Sequence, residues 1–195
     1  MAHFQTKHHQ YNDDELISAL QKCIRRGMEE EALYFALELG NEGKTGFWVL
    51  ISRLQVIAYE DIGLGDPTVV SHVSEAIEDM KTMYEKNRGD WEMVLSYIIL
   101  LLSRAKKSRI TDHIKILMKN KWNQKEKLFD IPDFALDMHT SQGNLLGRTK
   151  GSNQGINHFI NEGEKLENEN KTIKDIYKKP VHDLWRKKKN NKNKS

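Results

Sequence analysis

Cysteine is almost missing from this 195-residue chain: Cys23 stands alone, which excludes an intramolecular disulfide framework and points to a reducing compartment. Proline occurs three times and glycine twelve, too few for collagen-like or Pro-rich architectures. Long apolar runs are lacking as well; the longest, Tyr97-Ile98-Ile99-Leu100-Leu101-Leu102, falls far short of the roughly 20 residues that cross a bilayer. The N-terminus is polar and His-rich, so an unexported, cytoplasmic protein without membrane contact is expected. The eight histidines form no His-Glu-x-x-His and have no cysteine pair, so neither a metal nor another cofactor is expected.

Charge of one sign is missing only on average. The net charge is +3, yet residues 171–195 carry ten Lys and Arg against Asp175 and Asp183, leaving residues 1–170 at −5. The chain reads as an acidic body with a basic tail.

What is present is helical spacing. Residues 1–12 lack periodicity and read as a flexible arm. Leu16, Ile17, Leu20, Cys23 and Ile24 then share a face behind a cap at Asp13 or Asp14, and Gly27 stops the helix. A second helix spans 29–39, with Gly40 at its end and a loop over 40–46. The third, over 47–62, aligns Phe47, Leu50, Ile51, Leu54, Ile57 and Ala58, with Trp48 the residue expected at a contact. Asp66-Pro67 starts a fourth, and Asp90 caps a fifth, expected to be the central and most buried. A sixth, over 108–120, presents Ile110, Ile114, Leu117 and Met118. Short connections and the lack of sustained alternation predict an all-α bundle. Beyond Trp122 regular structure thins out: 151–155 reads as a loop, 157–166 as one short helix, and the last 25 residues as a solvated tail.

Catalytic motifs are scarce. Gly43-Lys44-Thr45 ends like a phosphate loop, but the glycine needed five residues earlier is Glu38, and a helix stands where a strand belongs. No Gly-x-Ser-x-Gly elbow occurs, and on a helix Asp137 and His139 would point apart. Glu60-Asp61 close to a helix C-terminus oppose the macrodipole and need compensation. Backbone N–H groups of the turn 63–65, or Arg53 or Arg104, could supply it. Arg104, Lys106, Lys107 and Arg109 either balance a helix C-terminus or contact phosphates, with Ser103 and Ser108 in support. Lys178, Lys179, Arg186, Lys187, Lys188 and Lys189, interleaved with Tyr177 and Trp185, either solubilise the tail or bind nucleic acid.

Three strings carry a resemblance: Ser18-Ala19-Leu20-Gln21-Lys22-Cys23-Ile24-Arg25, Glu31-Ala32-Leu33-Tyr34-Phe35-Ala36, and Arg53-Leu54-Gln55-Val56-Ile57-Ala58-Tyr59-Glu60-Asp61-Ile62-Gly63-Leu64-Gly65-Asp66-Pro67. They resemble the C-terminal region of the replication-associated recombination ATPases called RarA or MgsA, relatives of the Werner-helicase-interacting protein, over roughly residues 13–121. The resemblance implies a fold like the helical collar of clamp loaders, tetramer assembly, and a motif role for Glu60, Asp61, Gly63, Asp66 and Pro67. No Walker A, Walker B or sensor segment precedes residue 13, so ATP hydrolysis is not carried over. The segment Phe134-Ala135-Leu136-Asp137-Met138-His139-Thr140, with Gly143 and Gly147-Arg148, then His158-Phe159 and Glu162-Gly163, looks like an extension found on ATPase-less versions of the domain. The expected organisation is an arm (1–12), a helical domain (13–121), a mixed extension (122–170) and a basic tail (171–195). The leading reading is a non-enzymatic replication, recombination or repair accessory module that forms a homo-oligomer or docks onto replication proteins and touches DNA. The alternative is a small enzyme or nucleotide-binding protein using Asp137, His139, Thr140 and Arg148.

Overall fold

The computed structural model describes residues 4–187. They form an all-α fold in which the one β-type pairing among the described residues is the isolated bridge from Gln5 to Asn12. Between Gln124 and Lys125 they divide into two compact units.

The first unit contains α1 (Asp13–Arg26), α2 (Glu29–Gly40), α3 (Gly43–Ile57), α4 (Pro67–Glu85), α5 (Trp91–Arg104) and α6 (Ile110–Trp122). The stripes expected on the first five helices converge on one core, where Leu20, Ile24, Leu39, Phe47, Leu54 and Leu95 are fully buried. Phe47 stacks on Tyr84, with ring centroids 3.6 Å apart, and meets the Trp91 ring edge-on. Cys23 packs against the rim of this core, and burial pushes its thiol above the ordinary value.

Several boundaries move for identifiable reasons. Asn12, not Asp13 or Asp14, precedes the first turn of α1; Asp13 is helical and buried. The N-terminal segment is pinned rather than loose. Thr6 N–H donates to the Tyr11 carbonyl (2.8 Å), Lys7 N–H to Glu42 Oε1 (2.6 Å), and the His9 ring meets Glu38 Oε2 (2.7 Å). Burial alone would raise the Glu38 carboxyl; hydrogen bonds from Thr6 and from the His9 ring and backbone outweigh it and hold Glu38 below its usual range. The expected 40–46 loop shrinks because α3 starts at Gly43, with Gly46 in its first turn against the Leu39 carbonyl. Asp90 precedes α5 without capping it, its carboxylate held by Arg88 at 2.6 Å. Helix α5 buries Trp91, Leu95, Ile98, Ile99 and Leu102 but turns Met93, Tyr97 and Leu100 outward, so it is not enclosed on all sides.

After Ile57 the helix widens into a π-helical turn, Ala58–Ile62, which ends in a tight 3-10 turn, Gly63–Gly65. Gly63 has φ +46°, a conformation that excludes most side chains. Asp66 accepts the Val69 N–H (3.3 Å) and Pro67 fills the first position of α4, as the Asp-Pro pair requires.

The second unit is built from α7 (Ser141–Leu145), α8 (Asn153–His158), a π-helical turn Phe159–Gly163, and α9 (Lys178–Lys187). Where a loop over 151–155 and a helix from 157 are expected, Ser152 caps α8: its Oγ accepts the Gly155 N–H at 3.0 Å. Thr140 caps α7 in the same way through the Gly143 N–H (3.0 Å). A helical cap overrides loop-like composition when a hydroxyl stands three residues before a small residue.

The close approach of α2 and α3 gives the first expected outcome. Gly46→Ala drives a methyl into the Leu39 carbonyl and the Glu42 side chain, and should cost about 1–3 kcal/mol. Thermal melts should show the midpoint falling by several degrees; an unchanged midpoint means that the helices are further apart.

Candidate functional site

The π-helical turn places two acids side by side at the end of a helix, where the macrodipole disfavours them. Asp61 is 1% exposed. Its Oδ1 accepts from Arg25 Nε (2.6 Å) and its Oδ2 from Gln21 Nε2 (2.8 Å), while Glu60 Oε1 accepts from Arg25 (2.8 Å) and Gln21 (3.1 Å). Gln21 Oε1 in turn accepts from Arg53 at 2.9 Å. Arg109 approaches both acids at 3.5 Å and also pairs with Asp112. The carboxylate partners are therefore Arg25, Gln21 and Arg109; Arg53 reaches the network only through Gln21, and Arg104 is elsewhere. The donors come from α1 and from the start of α6, a pairing that local sequence cannot reveal. The turn's N–H groups are not the donors to Asp61. Instead, the Asp61 carbonyl accepts the Ser108 N–H at 3.0 Å.

The glycines of the same motif complete the junction. A Cβ on Gly65 would stand 2.7 Å from the Lys106 carbonyl oxygen and 2.9 Å from the Ser108 nitrogen, so only glycine lets the chain 106–108 lie against the turn. The string from Glu60 to Pro67 is thus one device: two acids receive α1, two glycines admit the next segment, and Asp66 restarts the helix.

The four cations at 104–109 are dispersed by these contacts. Arg104 makes a two-pronged pair with Glu29 (2.8 Å each), and Lys107 donates to the carbonyls of Ser103 (2.7 Å) and Ala105 (3.1 Å). Burial pushes the Lys107 ammonium below its ordinary value, partly offset by Asp61. Arg109 belongs to the acid network, Lys106 is exposed, and Ser103 is buried.

Helix α6 inverts the usual arrangement. Asp112 is its one buried residue, tied to Arg109 and to Lys115 (2.7 Å), and the Lys115 ammonium with Arg109 holds the Asp112 carboxyl below its usual range. Ile110, Ile114, Leu117 and Met118, expected as one apolar stripe of the bundle, are 37–58% exposed, and Trp122 at the helix end is 72% exposed. The stripe stays at the surface because the helix is held at its first turn, where Asp112 is buried and Glu60 and Asp61 hold Arg109, while 113–120 are exposed. A cleft of about 380 Å³ lined by Val56, Tyr59, Thr111 and Lys115 runs beside this helix. Trp48, expected at a contact, is half-buried, its ring edge-on to Phe47 and under the Lys81 ammonium at 6.0 Å.

In the second unit the expected polar group is only partly assembled. Asp137, His139 and Thr140 meet in a turn, not on a helix, which is why the two side chains expected to diverge touch. Asp137 Oδ1 accepts the His139 N–H (2.9 Å), its Oδ2 faces the His139 ring (3.3 Å), and Thr140 Oγ1 donates to the Asp137 carbonyl (3.0 Å). The His139 backbone N–H, then its ring, holds the Asp137 carboxyl low. Arg148 joins Asp133 instead: it donates to the carbonyls of Asp133 (3.1 Å) and Leu136 (2.8 Å) and to Asp133 Oδ1 (2.7 Å), holding that carboxyl low. His158 Nε2 completes the set at 3.3 Å from Asp133, a residue that composition alone did not single out.

Within the basic tail, 178–187 are helical. Trp185 stacks on His182 (5.7 Å) and abuts Phe159 (5.6 Å), and Lys179 pairs with Asp183 (2.8 Å). Lys178 and Arg186 are exposed, Lys187 ends the helix, and Lys188 and Lys189 lie outside the described residues. Among the described residues no three His, Cys, Asp or Glu side chains converge as a metal site, and no helix is long and apolar enough to cross a membrane.

The fold and its acid knot define an all-helical protein whose most distinctive motif is a charged junction between helices. The model of the family described as MgsA AAA+ ATPase C terminal matches residues 27–194, and the chain belongs to that family. The match begins at the end of α1 and continues across the second unit, so it spans the 122–170 segment as well. No curated protein matches the chain.

Two outcomes are expected of these charges. Asp61→Ala leaves Arg25 and Gln21 facing an apolar void and should cost about 3 kcal/mol, read as a lower urea midpoint; wild-type stability would mean that the pair is solvent-replaced. Acid should weaken the second unit. The Asp133 and Asp137 carboxyls are lowered on folding, so the stability they add is complete above their ordinary range and lost as pH falls below about 4. Arg148→Ala should flatten that acid limb in circular dichroism melts at stepped pH.

Proposed function

We propose that this chain is a non-catalytic assembly module of a replication- and recombination-associated AAA+ ATPase system, acting in the cytoplasm. In this reading it is a collar-like helical domain that self-associates or docks onto partner proteins, and whose basic segments touch DNA. The observation that carries it is the outward apolar face of α6, a surface of a kind that marks association. Family membership supplies the replication and recombination setting.

For DNA contact the available cations are Lys106, Lys178, Arg186 and the lysines that follow α9, since Arg104, Lys107 and Arg109 are engaged internally. Trp185 is packed on His182 and Phe159, so the contact proposed is electrostatic and not base stacking. The alternative, a ligand site at Asp137, His139, Thr140 and Arg148, has less in its favour: three of the four bind one another and Arg148 binds backbone carbonyls.

Fluorescence anisotropy with a labelled single-stranded oligonucleotide tests the DNA half. Binding should be sequence-indifferent and fall with salt at a log–log slope of about −0.7 per phosphate contact. Combined Lys178→Glu and Arg186→Glu should remove most of it, while Arg104→Glu should not. Absence of binding at low salt, about 20 mM, leaves a protein-interaction role and removes the DNA one.

A further inference from the structure

We propose that the outward face of α6 receives the segment 128–134 of a second copy of this chain; the inference rests on the self-association reading above and names its contact surface. Two unpartnered surfaces within the chain complement each other. The first is the α6 face that carries Ile114, Leu117 and Trp122, all exposed, with Lys121 between them and Lys119 at its edge beside Trp122. Lys119 lies over the Trp122 ring at 3.9 Å, so a cation and an aromatic are presented together. The second is Leu128-Phe129-Asp130-Ile131-Pro132-Asp133-Phe134, where Phe129, Ile131 and Phe134 are 57–67% exposed. Its Asp130 carboxylate is 89% exposed, paired only at the surface with Lys127.

The chemistry matches in sign, in polarity and in length. A basic apolar helix face meets an acidic apolar segment, so burying the aromatics also brings Asp130 to the lysines instead of stranding either charge. From Ile114 to Trp122 the helix advances about 12 Å, and the five residues 128–132 in extended form cover about 13 Å. Up to Pro132, itself extended, the segment has no regular structure to unfold first. A second copy supplies the missing half of each surface. Such a contact is heterologous: each copy gives its segment to one neighbour and its helix to another, a pattern that closes into a ring or extends.

Sedimentation velocity of the full chain over a wide concentration range tests this. The wild type should pass from monomer to larger species. Lys119→Glu and Asp130→Lys, both at exposed positions that leave the core intact, should each weaken assembly at least tenfold. An equimolar mixture of the two variants, and the double variant in one chain, should assemble again, because each restores opposite charges across the contact. A wild type that stays monomeric at every concentration overturns both this contact and self-association itself. Assembly that persists in both single variants, or a mixture that fails to recover, overturns this contact while self-association stands. Loss of α6 hydrogen-exchange protection in Asp130→Lys that is independent of concentration identifies closure within one chain and likewise overturns the proposal.

Discussion

A single buried carboxylate organises the first unit. Asp61 is shut away from water, and an unpaired charge there is unaffordable in a medium of low polarity. It is therefore bound from two directions, by Arg25 and Gln21 of α1 and by Arg109 at the start of α6, while its own carbonyl fixes the chain at Ser108. Elements up to 48 residues apart in the chain meet at this point (Asp61 to Arg109). The apolar core would form from α1 to α5 without the network. The direction in which α6 faces would not be set.

That direction decides which residues of α6 reach the surface. An amphipathic helix left to itself lays its apolar stripe on the bundle. Here Glu60, Asp61 and Asp112 anchor the start of α6 through Arg109, and the apolar stripe that follows stays at the surface. Ile110, Ile114, Leu117 and Trp122 are exposed as a result.

Much of this was legible in the sequence, and the misses share a cause. Periodicity found the helices, and Asp66-Pro67 marked the start of α4, because both signals are local. The need to compensate Glu60-Asp61 was also legible, but its partners were not: Arg25 and Arg109 lie 36 and 48 residues away from Asp61, and spacing says nothing about such distances. The stripe on α6 was read correctly and its orientation was not, since periodicity reports that a face is apolar without saying which side is anchored. In the second unit, the spacing of Asp137 and His139 would set them apart on a helix, and the segment is not one. A turn capped by Thr140 brings them together. Arg148 was visible as a cation, while its use as a clamp on the Asp133 and Leu136 carbonyls depends on the chain folding back over twelve or more residues.

The central claim is that the Asp61 network, and not apolar packing, holds α6 in place. Hydrogen exchange in Asp61→Asn against the wild type tests it most directly, because the substitution keeps the shape and removes the charge. The account predicts that amides of 108–122 lose protection strongly while those of α4 and α5 change little. Equal protection of α6 in both proteins, or a uniform loss across every helix, would contradict it.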